Sequence, residues 1–126
     1  MSIYEGFFSG GARALHSTVV AGLHTGGRQQ HSVLSIYGAM RRETLLQRME
    51  DDASYRALSA VGVEIRSLVR RVGGDGGARR TFTAGEVAAA VARAERADII
   101  LSLKEQPLRL VNQAGFPRRP VIVGVA

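Results

Sequence analysis

The chain has 126 residues, is 45% hydrophobic and 22% charged, carries a net charge of +6 and contains no cysteine. That length suits a single domain with one core. The missing cysteines exclude a disulfide framework, a thiolate metal site and a cysteine nucleophile. His16, His24 and His31 are too badly spaced along the chain for a zinc site, so neither metal nor cofactor is expected. No charged leader followed by an apolar run opens the sequence, and no apolar run approaches the ~20 residues of a membrane span. A cytoplasmic protein with no membrane span is the expectation. The positive charge is almost all arginine, with Lys104 the single lysine, and the arginines are dispersed among few aromatics (three tyrosines and four phenylalanines). Nucleic-acid binders cluster such residues, so a solvated basic surface or an acidic substrate is favoured over nucleic acid.

In chain order, residues 3–8 (IYEGFF) are β-branched and aromatic and break at Ser9-Gly10-Gly11, which predicts a strand running into a tight turn. Ala12, Leu15, Val19, Val20 and Leu23 then recur at helical spacing, with Arg13, His16 and Ser17 on the opposite side. The expected helix buries the apolar stripe and ends at Gly26-Gly27. Residues 31–37 (HSVLSIY) read as a second strand, and residues 42–60 as a second helix that Gly62 stops. Residues 63–69 alternate and suit a strand at a sheet edge. Residues 70–80 (RRVGGDGGARR) are too glycine-rich to pack a core. Thr83 and Glu86 have the spacing of a capping box for a third, alanine-rich helix. Residues 98–103 (DIILSL) read as a central strand, residues 106–114 as a short helix ended by Gly115, and residues 120–125 (PVIVGV) as a last apolar strand.

Strands alternating with helices predict an α/β fold: a doubly wound, five-stranded parallel sheet with helices on both faces, Rossmann-like, in the order 3-2-1-4-5. Residues 1–126 form one such domain. In open parallel sheets ligands bind beyond the carboxyl ends of the strands, where the strand order reverses. The candidates there are Ser9, Gly10 and Gly11, whose backbone and following helix end suit a phosphate, and Ser102, Lys104 and Glu105 after the fourth strand. His16 lies one turn into the first helix. Gly38-Ala39 and residues 124–126 are the corresponding segments after the second and fifth strands. No G-x-G-x-x-G, P-loop or G-x-S-x-G context accompanies them, so no catalytic residue is assigned.

The run YEGFFSGGARALHSTVVAGLHTGGRQQHSVLSIY resembles the opening of a GT-B glycosyltransferase of the group-1/family-4 type, and ADIILSLKEQPLRLVNQAGFPRRPVIV resembles the later part of the same N-terminal domain. The resemblance implies that Gly10 and Gly11 approach a diphosphate or acceptor, and that residues 102–105 line the acceptor side. It implies a nucleotide-sugar or sugar-acceptor ligand and a C-terminal partner domain, without which this half would be inactive. No histidine follows Val123, where family members usually carry one after a late strand. A final strand left uncovered further predicts a homo-oligomer or a docked partner domain. The alternative is a stand-alone nucleotide- or phosphate-binding module of universal-stress or flavodoxin-like type.

Overall fold

The computed structural model describes residues 1–7, 11–27, 29–42, 45–72 and 81–124. In chain order these form β1 (Ser2–Tyr4), α1 (Gly11–Thr25), β2 (Ser32–Arg42), β3 (Leu45–Arg48), a 3-10 turn (Met49–Asp51), α2 (Ala53–Ala60), β4 (Glu64–Val72), α3 (Ala84–Ala94), β5 (Ile100–Leu103), α4 (Glu105–Val111) and β6 (Val121–Gly124).

Five strands pair in parallel in the order β4-β2-β1-β5-β6, the order expected for the five predicted strands. The sheet as a whole is mixed, because β3 pairs antiparallel with β2, Ala39 opposite Arg48 and Arg42 opposite Leu45. The purely parallel five-stranded sheet is thereby corrected to α/β with a six-stranded mixed sheet. β4 holds one side of β2 through Met40. β3 therefore runs along the other side, in line with β1 and beyond its carboxyl end. The last link between the β1 segment and β2 is the Tyr37 N–H donating to the Glu5 carbonyl at 2.9 Å.

The same finding corrects the second helix. Leu46, Met49 and Ala53 have helical spacing, but the chain first folds back on β2 as a hairpin, so the helix starts only at Ala53. Asp52 sets that start: its carboxylate accepts the N–H groups of Ser54 and Tyr55, filling donors that an unfinished helix end leaves open. Gly38-Ala39, expected after the second strand, lies within β2 beside two register shifts. Residues 73–80 of the glycine-rich segment lie outside the described residues. Thr83 and Glu86 form the expected reciprocal capping box on α3. β6 is an edge strand, with Ile122 57% and Val123 45% exposed.

Two apolar clusters line the two faces of the sheet. Ile3, Leu34, Ile36 and Ile100 pack with Ala90 and Ala94 of α3 and Leu110 of α4. Tyr4, Phe7, Val33 and Val63 pack with Val20 of α1 and Leu58 of α2. The alternation of Ile3 and Tyr4 between the clusters is the period of two of a strand. Ala90 and Ala94 are fully buried, so α3 lies close on the sheet, as its alanines predict.

α1 is turned from its expected orientation: of the apolar stripe, Val20 is buried as expected but Leu15, Val19 and Leu23 are not. Arg13, Ser17 and Val20 are buried, whereas Leu15, Val19 and Leu23 are 69%, 51% and 50% exposed. The polar side turns inward because partners wait for it. Ser17 Oγ lies 3.1 Å from the Tyr4 hydroxyl, His16 Nε2 lies 3.0 Å from Ser2 Oγ, and Arg13 Nη1 donates to Asp52 at 2.8 Å. A buried polar group that is hydrogen-bonded escapes the desolvation penalty of an unpaired one.

Candidate functional site

β1 and β5 are parallel neighbours. The chain leaves β1 for α1 on one face and leaves β5 for α4 on the other. In open α/β sheets, connections that part in this way mark the place where a crevice forms, at the carboxyl ends of the two strands. Glu5 follows β1 and Lys104 follows β5, with Lys104 Nζ 4.0 Å from Glu5 Oε2, both side chains about half exposed. A pair this exposed contributes little to stability; its significance is that it spans the ends of β1 and β5.

Lys104 has φ 72° and ψ −176°, a region populated almost only by glycine and costing other residues about 1–3 kcal/mol. It is the single positive-φ non-glycine among the described residues. Its N–H donates to the Gly124 carbonyl at 3.1 Å, and α4 begins at the next residue, where Glu105 is bridged to Arg109 at 2.9 Å. The bond to β6 and the start of α4 fix the backbone on either side of Lys104 and hold it in this conformation.

Behind the β1 end lies a second group, which the sequence did not single out. The Arg13 guanidinium pairs with Asp52 at 2.8 Å, with side chains only 9% and 13% exposed. Its central carbon sits 5.5 Å from the centre of the Phe7 ring, and Phe7 meets the edges of Tyr4 and Tyr55 at 5.3 and 5.7 Å. Arg13 Nε is buried with no partner. Burial pushes the Tyr4 phenol up to about 12, against the opposing influence of Ser17 and Arg13, so it stays a neutral hydrogen-bonding group at physiological pH.

The sequence-predicted residues separate in space. Lys104 and Glu105 stand at the crevice, and Gly11 opens α1. Ser9 and Gly10 lie outside the described residues. Ser102 is fully buried within β5 and its hydroxyl has no partner. His16 belongs with Ser2 and Tyr4 beneath α1, its ring 5.6 Å from that of Tyr4. The Ser2–His16 contact has the reach of a nucleophile–base pair, but Ser2 is only 1% exposed, so no substrate meets it.

Folding gathers the three histidines towards the amino ends of the strands. The His31 N–H donates to His24 Nδ1 at 3.2 Å, and their rings lie 6.3 Å apart. They line a groove of about 350 Å³ with Glu64, Arg93 and Arg96. Among the described residues no group of three or more His, Asp or Glu side chains is placed to hold a metal, and no helix is long and apolar enough to cross a membrane.

Burial, then the neighbouring His31, lowers the His16 pKa below 6.5; burial, then the Met1 amino group and His24, lowers that of His31. A histidine held neutral in the fold takes up its proton first in the unfolded chain. Stability from these groups is therefore complete above the unfolded value and falls as pH drops through the window down to the lowered folded values. Urea midpoints are expected to decline as the pH falls below about 6.5. His16→Gln should flatten that decline, and an unchanged slope would refute the assignment.

No protein-family model, curated protein or solved structure matches this chain.

Proposed function

We propose that the chain is a doubly wound, Rossmann-like binding domain, acting as the acceptor-side domain of a GT-B-type glycosyltransferase, with its ligand in the crevice between β1 and β5. The reading rests above all on Lys104, a cation in glycine-like backbone geometry bridging towards Glu5 where the strand order reverses. Backbone strain of this kind clusters at ligand-binding sites, which favours a role for Lys104 in binding. Lys104 supplies a donor to a sugar hydroxyl or a phosphate oxygen, and Glu5 and Glu105 accept from hydroxyl groups. The parallel strand order and the helices on both faces support the same reading. Sugar transfer would then need a second domain to hold the donor.

The test is titration of the ¹⁵N-labelled chain with UDP-glucose, glucose and inositol as hydroxyl-rich acceptors, and ATP. Shifts at Glu5, Lys104 and Glu105 with the acceptors support the acceptor-side assignment. A response to ATP alone identifies the stand-alone nucleotide module instead, and silence towards all of them removes both. Lys104→Gly is expected to abolish the shifts while raising stability by about 1 kcal/mol, part of the strain relief being offset by the flexibility of glycine. Urea denaturation beside the titration checks both signs.

A further inference from the structure

We infer that the outer face of α1 is a dimer interface that joins two copies of this chain about a two-fold axis. The helix points its apolar ridge, Leu15, Val19 and Leu23, into solvent and its polar side into the core. Arg13 is the single charged residue in α1, and it is buried. The exposed face of a 15-residue helix is thus free of charge in a chain of which 22% of the residues are charged.

Beside the ridge runs a row of small exposed residues, Ala14, Thr18 and Gly22. A Cβ at Gly22 would meet nothing within 4 Å, so the fold of one copy does not need a glycine there. Glycine within a helix weakens it, and here its effect is to open room above the helix. Ridge and small row are four-residue repeats lying side by side. Two copies crossed at about −50° set the ridge of each against the small row of the other, the commonest packing of helices in globular proteins. The surface is complementary to itself, as an isologous two-fold contact requires.

The occupant follows from charge. Two copies at +6 each repel wherever their basic surfaces meet, and this uncharged face is where they approach at least cost. An acidic partner would be drawn to the arginines instead. α1 is about 22 Å long, and two crossed helices alone fall short of the ~800 Å² per partner of a stable interface. The adjoining α2, whose exposed residues are the small Ala53, Ala57, Ser59 and Ala60 with one charge, Arg56, would have to supply the remaining area.

Sedimentation equilibrium of the 126-residue chain is expected to show a monomer–dimer equilibrium at micromolar concentrations. Val19→Lys places a charge at the centre of the contact and should weaken association about tenfold or more, with unchanged circular dichroism because Val19 is 51% exposed and lies outside both core clusters. Gly22→Leu should raise the melting temperature of the monomer yet abolish the dimer, a pair of signs that a purely structural glycine would not give. The chain has no native cysteine, so Gly22→Cys should form an intermolecular disulfide in air while Gln113→Cys does not. A wild-type chain that stays monomeric at high concentration overturns the inference. So does a dimer insensitive to Val19→Lys and Gly22→Leu. Neither outcome bears on ligand binding at Lys104.

Discussion

Asp52→Ala is expected to cost about 3–5 kcal/mol of stability, because it strands the Arg13 guanidinium in a site where both partners are nearly buried. The carboxylate has two roles. It pairs with Arg13 at 2.8 Å and caps α2 through Ser54 and Tyr55 at 2.8 and 3.3 Å. Loss of the cap contributes about 1 kcal/mol; the larger part is the uncompensated cation. The two contributions can be separated. Asp52→Asn keeps an acceptor for the α2 N–H groups but removes the charge, and should recover only the smaller share. Arg13→Met with Asp52→Ser removes the ion pair while keeping a cap and an apolar filler against Phe7. It should lie closer to wild type than Asp52→Ala, since replacing a whole buried pair often costs little. Urea denaturation of the four proteins checks the order. If the Asp52→Ala chain proves no less stable than Asp52→Asn, the buried pair is not what anchors α1 to α2.

The opposite face of the sheet is held differently. Leu110→Ala is expected to destabilise by about 2–5 kcal/mol, through lost burial and the cavity left behind. Leu110 is fully buried against the cluster of Ile3, Ile36, Ala90, Ala94 and Ile100. α4 has seven residues, too few to be stable without its packing. Its buried residues are Pro107 and Leu110. Loosening α4 releases the backbone next to Lys104, so the variant should also weaken the binding proposed there. Leu110→Met, close in volume, should cost less than about 1.5 kcal/mol and keep binding. Thermal unfolding measured beside ligand titration tests the link between α4 and the site.

The strand and helix alternation was legible because each element carries its own period and punctuation. Thr83 with Glu86, Gly62, Gly115 and the alternation in residues 63–69 are local signals, and local signals survive folding. Two features were not legible. The β3 hairpin was hidden because Leu46, Met49 and Ala53 fit a helical period, and only the pairing with β2 decides against it. The orientation of α1 was hidden because a periodic pattern shows that a helix has two faces, while which face turns inward depends on its partners. Ser2, Tyr4 and Asp52 are those partners, and they lie 14, 13 and 39 residues from His16, Ser17 and Arg13. Within the candidate site, the position of Lys104 and Glu105 after a buried strand could be read from the sequence. The companion Glu5 and the φ of Lys104 could not, since both depend on β1 lying beside β5. The gathering of His24 and His31 was concealed in the same way, by the turn between α1 and β2.

β3 lies in the lane that β1 would enter if it continued, so the carboxyl rim of this sheet is lopsided. On the β2 flank a hairpin rises past the end of β1 as a parapet. On the β5 flank lies the edge strand β6, with Ile122 and Val123 open to water. For the ligand proposed at Lys104, the hairpin would stand as a wall on the β2 side and leave the β6 side as the open edge of the sheet.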